Sequence, residues 1–113
     1  MTYQGEILLV PFPFSDQSGK KVRPVVVISN DNFNKNSADI LVMGLTSNIS
    51  KDKYTINLNN SDLEEEQIEL CCIKVENILR LDKSLIIKKI GKIKKTKLNE
   101  AIKILNDILK EEN

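Results

Sequence analysis

Histidine and tryptophan are absent from this 113-residue sequence. Aromatic residues make up only 4 % of it, and there are two cysteines, four glycines and three prolines. Without histidine, a histidine triad, a histidine general base and a histidine metal ligand are all excluded. The two cysteines, Cys71 and Cys72, are adjacent in a segment that reads as a strand. Their side chains therefore point to opposite faces, where they cannot readily bridge. With no second cysteine pair and no histidine, no zinc site can be assembled. Apolar packing is the plain role left to at least one of them, and no metal or cofactor is expected. The longest apolar runs, such as Ile40-Leu41-Val42-Met43, are far too short to span a bilayer. The first six residues, Met-Thr-Tyr-Gln-Gly-Glu, lack the basic-then-apolar layout of a signal peptide. A cytoplasmic protein with no membrane association is the expectation.

What is present fits one soluble domain over residues 1–113. Apolar residues are 41 % and charged residues 29 %, an ordinary globular balance, and the length leaves no room for two cores. The core must come from Ile, Leu and Val. A net charge of +1 conceals an asymmetry. Residues 1–82 carry a balance of −4, concentrated in Asp62, Glu64, Glu65, Glu66 and Glu69, and residues 83–113 carry +5. A basic C-terminal quarter suits a polyanionic partner, although a solvated lysine-rich helix has the same composition.

The first two-thirds of the chain read as short strands. Glu6 to Phe14, Val22 to Ser29, Asp39 to Thr46 and Glu69 to Val75 are apolar runs separated by polar links, and Ile78 to Leu81 adds a short sixth strand. Tyr54-Thr55-Ile56-Asn57-Leu58 alternates with the period of two of a half-buried strand. The early links lack crossover helices, so a small antiparallel barrel fits better than a parallel sheet. The link Ser15–Lys21 is long for a hairpin, and Asn30–Ser37 is Asn-rich and irregular. Leu98, Ala101, Ile102, Leu105, Ile108 and Leu109 then form one helical stripe, with Thr96 as its N-cap. That helix is expected to lie across the barrel. Asp82 or Ser84 is placed to cap a shorter helix running to Lys89. The fold class is mainly β with helices (α+β).

Three sets of residues offer chemistry. Arg23 precedes Pro24, which favours an extended backbone and removes a ladder donor, so Arg23 suits a strand entrance. Its planar fork can hold a phosphate, or pair with a carboxylate such as Asp16. Thr46-Ser47-Asn48 closes the third strand, either as turn chemistry or as donors to a phosphate. Lys74 and Glu76, two residues apart in a strand, fall on one face as an ion pair or as an acid/base pair.

Gly5-Glu6-Ile7-Leu8-Leu9-Val10-Pro11-Phe12-Pro13-Phe14, with the Ser15–Gly19 link and Lys21-Val22-Arg23-Pro24 leading into Val25–Asn30, resembles the opening of the MazF/PemK (Kid-type) toxins. Leu45-Thr46-Ser47-Asn48 is similar to their third-strand motif, and Val75–Ile86 with Lys89-Ile90-Gly91 to their C-terminal segment. The resemblance covers nearly the whole chain in order. It implies a small, partly open, SH3-like antiparallel barrel with a long C-terminal helix packed on it, usually as a homodimer. It also implies a sequence-selective, ribosome-independent, metal-independent endoribonuclease acting on single-stranded RNA, held in check by a cognate antitoxin protein. The resemblance makes Arg23 and Thr46 the catalytic residues, with Glu76 a further candidate acid/base. It implies RNA contacts from Ser47, and Asp16, Lys20, Lys21, Asn48 and Lys74 are candidates for others. An Arg-x-Asp pair of the Kid-like branch reads Lys74-Val75-Glu76 here, and the histidine which that branch uses after its first strand is missing. Another branch carries Glu before Gln-Ile, and Asn77 stands where that Gln falls. The alternative function is a non-catalytic barrel toxin or binding module acting on a protein such as DNA gyrase.

Overall fold

The computed structural model describes residues 1–11, 22–47, 53–65 and 71–111. These form β1 (Glu6–Pro11), β2 (Val22–Val27), α1 (Asp31–Asn36), β3 (Asp39–Thr46), β4 (Thr55–Leu58), β5 (Leu63–Glu65), β6 (Cys71–Asp82), β7 (Lys88–Ile93) and α2 (Lys95–Leu109). The strands join one antiparallel sheet in the order β4-β6-β3-β2-β1-β7-β5. Its two outer strands, β4 and β5, feed the same apolar cluster through Ile56, Leu58 and Leu63. The sheet therefore curls into a nearly closed barrel.

Strand alternation sorts the apolar residues into two groups. Ile7, Val26, Met43, Leu45, Ile73 and Val75 share one core with Leu98 and Ala101 of α2. Leu8, Val10, Val25, Val27, Ile40, Val42 and Leu81 form a second core on the other face of the sheet. The run Val25-Val26-Val27 is wholly buried because its members serve both cores in turn. Helix α2 lies across the first core as its stripe requires, with Ile102, Leu105 and Ile108 packed against the barrel. Leu109, at the end of the stripe, is 72 % exposed.

Four local expectations are corrected. The Asn-rich link contains α1, because Asn30 Oδ1 caps it by accepting the Phe33 N–H at 2.8 Å. Asn34 is buried there, pairing with Ser29 through its Oδ1 and donating from Nδ2 to the Ser29 carbonyl at 2.9 Å. The fifth and sixth strands are one twelve-residue strand, β6. No helix runs to Lys89. Asp82 caps a single 3₁₀ turn, Lys83–Leu85, and Lys88–Ile93 instead pairs with β1, whose edge needs a partner. Helix α2 starts one residue before Thr96, at Lys95, with Lys94 as its N-cap. The Lys94 N–H is held by the Asp62 carbonyl at 2.7 Å, and that backbone bond sets the corner in place of a side-chain cap.

Cys71 and Cys72 are both buried and unbridged. Cys71 lies in the core under α2. Burial first, and the neighbouring Cys72 second, push the Cys71 thiol up to about 11 from its ordinary 9.0. The folded state therefore prefers the protonated thiol. Its contribution is complete below pH 9.0 and is lost as pH rises through about 11. Urea melts at pH 8 and pH 10.5 should show the wild type losing stability at the higher pH by more than Cys71→Ala does. Equal slopes in the two proteins would contradict this. Removing the α2 anchor with Leu98→Ala should cost ~2–5 kcal/mol in the same melts, the usual range for a buried leucine.

Candidate active site

The β2–β3 ladder pairs Val27 with Val42, Val26 with Met43 and Val25 with Gly44. The paired ladder ends at Val25 and Gly44, and Arg23 and Thr46 each lie two residues beyond it, on β2 and β3. Opposed residues of antiparallel strands lie about 5 Å apart at Cα and project to the same side. Arg23 is registered with Val10 of β1, and Thr46 with Cys72 of β6. Cys72 is in turn opposite Asn57 of β4. Arg23 thus stands beside Val10, and Thr46, Cys72 and Asn57 form a row across β3, β6 and β4.

The next row reads Leu8, Val25, Gly44, Lys74 and Thr55. Leu8, Val10 and Val25 belong to the second core, so both rows project to the face opposite α2. Arg23, Thr46 and Lys74 are thus brought to one face and are all half-buried. Ser47 follows Thr46 and is exposed. Among the described residues no carboxylate pairs with Arg23. Asp16, its possible partner, lies outside the described residues, as do Lys20, Lys21 and Asn48.

Glu76 is placed differently. Between Met43 and Gly44 the β3–β6 register shifts, so that Met43 faces Ile78 while Gly44 faces Lys74. Val75, Glu76 and Asn77 are the residues of β6 stepped out at this bulge. Ile73 and Val75 point into the core under α2, whereas Leu79 and Leu81 point into the other one. The bulge interrupts the period of two that would keep Glu76 with Lys74. Glu76 is exposed and lines a cleft of about 580 Å³ with Lys53, Tyr54, Ile104, Asp107, Ile108 and Lys110. Among the described residues, Arg23, Thr46 and Lys74 do not line that cleft.

Sequence reasoning gave no site role to Thr55 and Asn57, nor to Asn77 beyond its standing where one branch of the family carries Gln. The alternation of β4 already put Thr55 and Asn57 on its polar side. Only the register with β6 sets them beside Lys74 and Cys72. Asn77 is brought there by the bulge, for which a single sequence carries no pattern.

A nearly closed antiparallel barrel with a helix laid across one face is an architecture with solved counterparts. The chain superimposes on an endoribonuclease from Mycobacterial species solved in complex with its cognate antitoxin, with a TM-score of 0.79 at 18 % identity over 96 % of this chain and 95 % of that one. It also superimposes on a chain of a MazE–MazF complex from Deinococcus radiodurans, with a TM-score of 0.74 at 16 % identity over 98 % and 97 % of the two chains. By sequence it is 32 % identical over 107 residues to the endoribonuclease MazF of Staphylococcus epidermidis, covering 89 % of this chain and 85 % of that protein. The model of the PemK-like, MazF-like toxins of type II toxin–antitoxin systems matches residues 3–109. The chain belongs to that family.

The row geometry predicts that Thr46→Val, which keeps shape and removes the hydroxyl, leaves the barrel folded. Its thermal melt should stay within about 1 kcal/mol of wild type. A collapse of the melt would make Thr46 a structural residue of the sheet.

Proposed function

We propose that this chain is a single-domain endoribonuclease toxin that cuts single-stranded RNA at preferred sequences and is silenced by a cognate antitoxin. The observation that carries the reading is the convergence of Arg23 and Thr46 on one face of the sheet, from strands β2 and β3. Family membership and the endoribonuclease name of the S. epidermidis relative support it. Among the described residues no helix is long and apolar enough to cross a membrane, and we place the toxin in the cytoplasm. A homodimer, as the resemblance implies, would set two such faces into one assembly.

The proposed reaction uses the substrate's own 2′-OH. Its oxygen forms a bond to the adjacent phosphorus while the bond from phosphorus to the 5′-oxygen breaks. The 2′ proton passes to a base, and the departing 5′-oxygen takes up a proton. The products are a 2′,3′-cyclic phosphate and a 5′-OH. Arg23 holds the non-bridging oxygens, most strongly when the phosphorane carries its extra negative charge. Thr46 donates to a phosphate oxygen or fixes the 2′-OH, and Lys74 across β3 adds positive charge. Unpaired RNA suits the face because its bases can splay away from the backbone. Glu76, the carboxylate nearest in sequence to Lys74, is the candidate proton acceptor, and it lines the cleft beside α2.

A defined RNA incubated in EDTA, with sequencing of the cut ends and a test for cyclic phosphate, checks the reaction directly. Arg23→Ala should lose about 10²–10³-fold in rate, the usual loss for removing one preorganised donor, with its melt unchanged. Full activity in that variant would remove the mechanism. Glu76→Gln decides the base: a comparable loss assigns it, and a rate within about threefold of wild type strikes it from the mechanism. Lys74→Gln should flatten the dependence of RNA binding on log salt by about 0.7, the increment for one phosphate contact on a single strand.

A further inference from the structure

Gly44 occupies the centre of the row Leu8, Val25, Gly44, Lys74 and Thr55, where every neighbour carries a side chain. The space its own side chain would fill belongs to Asn77. A Cβ built on Gly44 would lie 2.5 Å from Asn77 Nδ2, 3.3 Å from its Cγ and 3.7 Å from its Cβ. Such distances exclude any larger residue at 44 unless Asn77 moves. The bulge of β6 folds the carboxamide of Asn77 back onto the bare backbone of β3, on the same face as Arg23, Thr46 and Lys74. Thr46 is two residues along β3 from Gly44, about 7 Å away. Lys74 is directly across from Gly44, about 5 Å away.

Asn77 is only half-buried there, and among the described residues no hydrogen bond engages its carboxamide. A carboxamide carries two donors and an oxygen acceptor. Held against a glycine beside Lys74, where the row passes from the apolar Leu8 and Val25 to Lys74 and Thr55, it is a polar edge with unused donor and acceptor capacity. A phosphate is held by positive charge, which Arg23 and Lys74 already supply. A nucleobase edge offers a donor beside an acceptor, and a carboxamide matches that pair two-for-two.

We propose that Asn77, seated on Gly44, is a specificity-determining residue that reads the edge of a nucleobase flanking the cleaved linkage. The proposal rests on the RNA-cleaving function proposed above. Gly44 is the seat, present because only a residue without a Cβ lets the carboxamide lie against the strand. Lys74 and Arg23 hold the backbone of the same nucleotide stretch, so the phosphate contacts position and the Asn77 contact selects. Each base presents a donor–acceptor pair on some edge, so the base chosen depends on which edge the held backbone turns toward Asn77.

The test is deep sequencing of cut ends from a randomised single-stranded RNA pool digested by the wild type, Asn77→Ala and Asn77→Asp. Asn77→Asp keeps the shape and removes the donors. Thermal melts of each protein are taken in parallel. The wild type should prefer one base at a flanking position by about tenfold or more. Both variants should lose that preference to within about threefold while other positions of the cut-site pattern persist and total cleavage of the pool stays within about tenfold. Gly44→Ala, which leaves Asn77 in place chemically but unseats it, should relax the same position. If Asn77→Ala unfolds, Asn77→Asp carries the readout, since it fills the same volume. An unchanged cut-site pattern in Asn77→Asp and Gly44→Ala overturns the proposal, as does an equal loss of preference at every position. A wild type that leaves the pool intact overturns the RNA-cleaving function itself, and with it this inference.

Discussion

β6 must serve two cores that lie on opposite faces of the sheet, and a regular strand cannot move its apolar residues from one face to the other. The bulge opposite Met43 and Gly44 resolves this. Before it, Ile73 and Val75 face the core beneath α2; after it, Leu79 and Leu81 face the other. Both cores are complete only because the step occurs where it does. The contact of Asn77 with the unsubstituted Gly44 is the packing consequence, since the stepped-out segment must fold back onto something and only a glycine leaves room.

That division of faces also divides labour. The face under α2 is closed by the helix and contributes stability. On the other face the apolar floor of Leu8, Val10, Val25 and Val42 gives way to Arg23, Thr46, Lys74, Thr55 and Asn57 toward β4. Cationic groups set at the margin of a dry floor keep part of their hydration and act on a ligand through a lower dielectric than open water offers. Strands fix such groups more firmly than loops do, which suits chemistry that depends on orientation.

Much of this could be read from the residues. The boundaries of β3 were legible because Asp39 and Thr46 bracket an unbroken apolar run, and α2 because its stripe keeps the helical period over three turns. Arg23 and Thr46 were legible as candidates from Pro24 and from the end of a strand, but that they share one face depends on strand pairings no single sequence displays. The segment after Asp82 does not continue as a helix although its capping residues imitate a helix start, because the open edge of β1 draws Lys88–Ile93 into the sheet. Asn30 has the chemistry of a cap in either reading. Whether a helix follows depends on Ser29 and Asn34 finding each other in the interior, which is a tertiary event.

The adjacent cysteines have one more consequence. Successive residues of a strand look in opposite directions, so Cys71 and Cys72 each sit on a different side of β6, and both are closed to solvent. A thiol-labelling reagent can reach either sulfur only when its own side of the wall opens. The two sulfurs are therefore built-in gauges of breathing: one registers the helix lifting away, and the other registers exposure beside the arginine row.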